Sequence, residues 1–120
     1  MRESELSKAV RDYLQYQANL GKVYFDRLNS GSLLAKSGDR IYKVNLCKSG
    51  TADYFVIQWV YPQGAPNKGW TRVIFLELKG KDGKQRGDQK DFQVSVEKQG
   101  AEYHIIRNID ELIGLIKESE

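Results

Sequence analysis

The sequence has a single cysteine, Cys47, and a single histidine, His104. One cysteine excludes an intramolecular disulfide, and this pair is too small a set for a zinc site built from thiolates and imidazoles. Any metal is therefore expected to be a hard ion held by carboxylates. No stretch approaches 18 apolar residues, and no apolar export-type segment opens the chain, so the reading is a soluble, cytoplasmic protein with no membrane partner. Prolines number two, Pro62 and Pro66, both in the segment 62–69. Neither sign of charge dominates. Nineteen Lys/Arg face sixteen Asp/Glu, a net +3, which permits a polyanionic partner without requiring one.

What is present is an ordinary globular composition, 40% hydrophobic and 29% charged over 120 residues. That length suits one core and one domain spanning 1–120. Leu6, Val10, Tyr13, Leu14 and Gln17 recur at helical spacing over 3–18. Strands are expected at 22–28 and 40–46, separated by the turn-forming NSGS and SGD stretches. The run YFVIQWVY at 54–61 has the continuous apolar character of a strand buried on both faces. A loop at 62–69 leads to a strand at 70–79, and a basic loop, GKDGKQRG, to a helix at about 89–98 with Asp88 as the expected N-cap. A short strand at 102–107 and a helix to about 118 follow, capped by Asn108 or Asp110, with Ile109, Leu112, Ile113 and Ile116 on one side. The order implies an α/β domain, a mixed central sheet flanked by helices.

The stretch FLELKG at 75–80 places Glu77 and Lys79 two apart in an apolar strand, so both share one face while Ile74, Leu76 and Leu78 take the other. A structural ion pair at a strand end explains such a pattern. So does a site, because Asp53, in GTAD, stands just before strand 54–61. If the two strands are neighbours, Asp53 and Glu77 meet. Paired carboxylates repel unless a cation lies between them. Mg²⁺ takes oxygen ligands of this kind, to which the Leu78 carbonyl adds another. Lys79 then assists a water or opposes charge on a phosphate. Glu3 lies on the apolar stripe of the first helix and Glu5 off it, and either also serves as a favourable charge at a helix N-terminus. Gln89 shares a helix face with Phe92 and Val96.

Lys79, Lys81, Lys84 and Arg86 follow one another closely in a glycine-rich stretch suited to phosphate contacts, although Asp82 and Asp88 dilute it. Arg27, Asn29, Ser30 and Gly31 form a second candidate nucleic-acid contact. Tyr24, Tyr42, Tyr54, Trp59, Tyr61 and Trp70 read mostly as core, and Cys47 and His104 as packing residues.

Taken in order, Glu3, RLNSG at 27–31, GTAD, ELK at 77–79, Gln89 and Phe92, and the ending GAEYHIIRNIDELIGLI resemble the VRR-NUC family of the PD-(D/E)xK nuclease superfamily, whose members are small and often phage-encoded. The resemblance spans nearly the whole chain. It implies a restriction-endonuclease-like core and a Mg²⁺- or Mn²⁺-dependent endonuclease. It makes Asp53 and Glu77 metal ligands, Lys79 the catalytic lysine, Glu3 the acid of the first helix and Gln89 an accessory residue. Standalone members look like Holliday-junction resolvases, so branched DNA and a homodimer are implied. Ala52 stands where the family usually has proline, and 62–69 is longer than a minimal link. The rival expectations are a DNA-structure-binding module or partner subunit that does not cut, and a purely structural Glu77–Lys79 pair.

Overall fold

The computed structural model describes residues 2–116. Helix α1 (Glu3–Asn19) forms because Leu6, Val10 and Leu14 recur every fourth residue and are all fully buried. It stops at Gly21, whose φ of +75° suits the left-handed turn, while the Lys22 amide donates to the Gln17 carbonyl. The central sheet holds β1 (Tyr24–Arg27), β4 (Tyr54–Val60), β5 (Trp70–Leu78) and β6 (Glu102–Ile106) in the spatial order β1-β4-β5-β6. β4 is antiparallel to both β1 and β5, whereas β5 and β6 are parallel. A parallel pair needs a crossover, and α2 (Gly87–Lys98) supplies it. Helix α3 (Ile109–Leu115) closes the described chain, with the Asn108 side chain accepting from the Glu111 amide and Glu111 reaching back to the Asn108 amide. Asn108 rather than Asp110 is the cap. The expected end of this helix, 117–118, lies outside the described residues.

One face of the sheet carries the core. Tyr54, Val56, Ile74, Leu76, Leu78 and Ile106 pack with Leu6, Val10 and Leu14 of α1 and Leu112 of α3. On the other face, Phe92 of α2 meets Phe75 edge-on at 5.1 Å and Tyr103 at 6.1 Å. The fold class is thus α/β with a mixed sheet flanked by helices.

Several expectations change. Residues 32–37, given no strand between the expected NSGS and SGD turns, form strand β2 (Ser32–Ser37), paired with β3 (Arg40–Asn45) in a two-stranded sheet outside the central one. β4 is buried on one face only: Tyr54, Val56 and Gln58 are buried, while Ile57 and Trp59 are exposed. α2 lies against β5 and β6 and leaves that part of β4 uncovered. For the same reason Tyr24 and Trp59 are not core residues, and neither are Tyr42 and Trp70. Ile113 is also exposed. α2 begins two residues earlier than its apolar pattern indicates, with Arg86 at the N-cap and Asp88 inside the first turn. No helix among the described residues is long and apolar enough to cross a membrane.

Candidate functional site

Asp53 is the last residue before β4, and the sheet fixes it from three sides. Its amide donates to the Leu76 carbonyl at 2.9 Å, its carbonyl accepts from the Leu28 amide at 2.8 Å, and its Oδ2 accepts from the Leu78 amide at 2.7 Å. The antiparallel register pairs Tyr54 with Leu76, which brings Asp53 alongside the end of β5. There the period-2 geometry of the strand sends Leu76 and Leu78 into the core and Glu77 to the α2 face.

Glu77 is 3% exposed and Lys79 8% exposed. Their charged ends lie 4.0 Å apart, from Lys79 Nζ to Glu77 Oε2. Glu77 Oε1 is buried and has no hydrogen-bond partner among the described residues. Burial, followed by the hydrogen bond and charge of Asp53, pushes the Glu77 carboxyl up to about 8, against the opposing pull of Lys79 and Arg86. Two carboxylates in a poorly solvated place share too little cation. An unpartnered buried oxygen of this kind is costly in a folded protein.

The site opens on the α1 side into a cleft of about 280 Å³ lined by Glu3, Ser4, Ser7, Arg27, Asp53, Tyr54 and Leu78. Glu3 therefore shares a cleft with Asp53, whereas Glu5 is held in an ion pair by Arg2 at 3.0 Å. On the α2 side Gln89 is 4% exposed, and its Oε1 accepts from the Arg86 amide at 2.8 Å. This bond satisfies an amide at the helix start. The Arg86 side chain is paired with Asp88 at 3.1 Å. The Ser49 hydroxyl, donating at 2.6 Å, and then Arg86 hold the Asp88 carboxyl down at about 2. Gly50 packs so closely there that a Cβ would sit 2.3 Å from the Asp88 carbonyl oxygen. The loop leading to Asp53 is thus seated on the start of α2.

The structure brings together Asp53, Glu77 and Lys79, with Glu3, Arg27 and Leu78 on the adjoining cleft and Gln89 and Arg86 at the nearby helix start. Asn29 and Ser30 lie beyond the cleft lining, at the root of the β2–β3 hairpin, where the Cys47 amide donates to the Asn29 carbonyl. Lys81 and Lys84 are exposed on the loop after β5. Among the described residues, no group of three or more His, Cys, Asp and Glu side chains is assembled to hold a metal ion. The acidic core of the site is a pair. A pair fits Mg²⁺, which usually takes one or two carboxylates and completes its shell with waters and phosphate oxygens.

Three residues of the site's surroundings escaped the sequence reading. Tyr103 is buried opposite Phe75 on the adjacent strand. Burial, with Glu77 and Asp53 adding, pushes its phenol up to about 12, against a hydrogen bond from Gln85. Gln85 donates to the Tyr103 hydroxyl at 3.2 Å and to Gln93 at 2.8 Å. Arg107 Nη1 donates to the carbonyls of Gly80 at 2.8 Å and Gly83 at 2.7 Å, so it shapes the basic loop that follows Lys79. The alternation in EYHII puts Tyr103 and Ile105 on one face, but only the parallel β5–β6 register shows that this face is the one bearing Glu77.

Compared with protein-family models and with curated proteins, the chain matches none.

Proposed function

We propose that this protein is a metal-dependent endonuclease that hydrolyses phosphodiester bonds in DNA, with branched DNA such as a four-way junction as its substrate, working as a homodimer. The observation that carries the reading is the buried, unpartnered Glu77 Oε1 beside the Asp53 carboxylate. The resemblance of Asp53, Glu77, Lys79, Glu3 and Gln89 to the VRR-NUC pattern supports it.

Asp53 and Glu77 are the residues that would hold Mg²⁺ or Mn²⁺, helped by the Leu78 carbonyl, with Glu3 lining the cleft beside Asp53. Such a cation, when bound, polarises a phosphoryl oxygen and lowers the pKa of a water. The chain's own groups do the rest. Lys79 supplies the nearest ammonium to the carboxylate pair, so it orients an attacking water and opposes charge growing on the phosphate. Gln89 holds the Arg86 amide and with it the start of α2, which keeps the Arg86 charge near the carboxylates. Arg27, at the mouth of the cleft, meets a backbone phosphate. A junction cutter nicks two strands symmetrically, and one chain carries one such site, so two copies are required.

The test is a cleavage assay on a labelled four-way junction, a matched duplex and a single strand, with and without Mg²⁺ or Mn²⁺. Paired, metal-dependent nicks in the junction are expected. Cutting of duplex or single strands alone would discard the junction preference, and absence of cutting on every substrate would discard the nuclease.

A further inference from the structure

The β2–β3 hairpin stands apart from the central sheet. Six residue pairs join its strands, from Ser32–Asn45 to Ser37–Arg40, and the Gly31–Cys47 and Leu46–Gly31 backbone bonds close its root. Among the described residues no other helix or strand packs broadly against it. Its two faces differ. Leu33, Val44, Ala35, Tyr42 and, at the turn, Arg40 share one, while Leu34, Lys43, Lys36 and Ile41 share the other. Leu34 is 75% exposed and Ile41 69% exposed.

The charge distribution says what the hairpin meets. Residues 27–48 carry five Lys/Arg (Arg27, Lys36, Arg40, Lys43, Lys48) and one acid, Asp39, which is +4 in a chain whose total is +3. The remaining residues therefore sum to −1. Elsewhere some cations are neutralised, Lys8 by Asp12, Arg72 by Glu102 and Arg86 by Asp88, while others, such as Lys22, Lys68 and Lys90, are in no ion pair among the described residues but do not share one projecting element. Among the described residues Lys36, Arg40 and Lys43 make no ion pair. Unpaired cations on a projecting two-stranded ribbon are complementary to a nucleic-acid backbone. The major groove of B-DNA is wide enough to admit such a ribbon, with apolar side chains against thymine methyls. At the ribbon's root stands Arg27, which lines the cleft holding Asp53.

We infer that the β2–β3 hairpin is a DNA-gripping ribbon that enters a duplex groove next to the candidate active site. Lys36 and Lys43 contact phosphates on the face where Leu34 and Ile41 lie against the groove, and Arg40, at the turn, reaches a phosphate from the other face. The identity of the ligand rests on the nuclease reading, but the hairpin's role is separable from cutting.

The experiment measures binding of a fluorescent 20-base-pair duplex and a four-way junction across a salt series, in EDTA so that nothing is cleaved. The proteins are the wild type, the triple variant Lys36→Ala/Arg40→Ala/Lys43→Ala and a charge-keeping triple Lys36→Arg/Arg40→Lys/Lys43→Arg. The neutral triple is expected to bind at least about tenfold more weakly at low salt. Its slope of log affinity against log salt should be shallower by about 2 to 3, one phosphate contact per cation lost. The charge-keeping triple should bind like the wild type. Wild-type affinity and slope in the neutral triple would overturn the proposal, as would a wild type that cuts DNA yet shows no hairpin dependence in binding. Hairpin-dependent binding with no cleavage in any metal would uphold the ribbon and remove the nuclease. A dimer that dissociates in Leu34→Ser/Ile41→Ser, with the neutral triple binding normally, would assign the hairpin to a second copy of the chain and overturn the ribbon.

Discussion

The Leu78 backbone amide donates to Asp53 Oδ2 at 2.7 Å, so the end of β5 and the entry to β4 are joined through a side chain of the candidate site. This bond takes over where the ladder stops: the last β4–β5 pair is Tyr54–Leu76, one residue beyond which Asp53 must find its own partner. The same contact that aligns the strands also sets one carboxylate beside the other.

Asp53→Asn keeps an oxygen acceptor for the Leu78 amide, so the fold should be retained at a cost of about 1 kcal/mol or less. Cleavage should nevertheless fall by about a hundredfold or more, because the amide is a poor ligand for a hard cation. Thermal unfolding and junction cleavage measured on one preparation check both halves.

Glu77→Gln separates a structural pair from a site. A structural ion pair with Lys79 predicts a loss of stability. A carboxyl kept for a cation predicts the reverse in EDTA, a gain of about 1 kcal/mol, since folding no longer has to protonate a buried acid that is ionised in the unfolded chain. The gain should be accompanied by loss of any rise in Tm on adding Mg²⁺, which in the wild type follows from binding to the native state. Calorimetric melting with and without Mg²⁺ reads both effects.

The Glu102 carboxylate lies between Arg72, at 2.7 Å through both oxygens, and His104 at 3.1 Å. Arg72 also donates to Gln58 and the Leu115 carbonyl. The Arg72 hydrogen bonds are the main cause holding the Glu102 carboxyl at about 2, below its usual 4.5. The unfolded chain therefore binds this proton first, and stability from the pair is complete above about pH 4.5 and is lost as pH falls toward 2. Denaturant melts of the wild type and Glu102→Gln should diverge near neutrality, approach one another below about pH 4 and converge only near pH 2.

Gly50→Ala tests the seat of the Asp53 loop. The position has a φ of +89°, and the new Cβ would lie 2.3 Å from the Asp88 carbonyl oxygen. Left-handed backbone and a clash with backbone together should cost about 2 kcal/mol or more. Cleavage should drop at a temperature where the variant is still folded, because Asp53 is displaced. Circular dichroism alongside the cleavage rate distinguishes displacement from unfolding.

Much of this was legible in the sequence, for identifiable reasons. Leu6, Val10 and Leu14 announce α1 by spacing alone, and the alternation of Leu76, Glu77, Leu78 and Lys79 gives their faces without any partner. Glu3 falls on the cleft because the helical stripe that buries Leu6 also carries it there. What stayed hidden depends on neighbours. SLLAKS in β2 has neither alternation nor an apolar run, and it is a strand only because β3 pairs with it. Ile57 and Trp59 look like core residues in YFVIQWV, but among the described residues no helix covers them and both are exposed. Tyr103 and Arg107 reach Glu77 and the basic loop through the parallel β5–β6 pairing, a long-range fact that no local pattern contains.

The most direct measurement compares wild type and Glu77→Ala on a labelled four-way junction in Mg²⁺, with both proteins verified as folded. Paired nicks by the wild type and none by the variant are expected. Equal cutting by both, or none by either in Mg²⁺ or Mn²⁺, would contradict the nuclease reading.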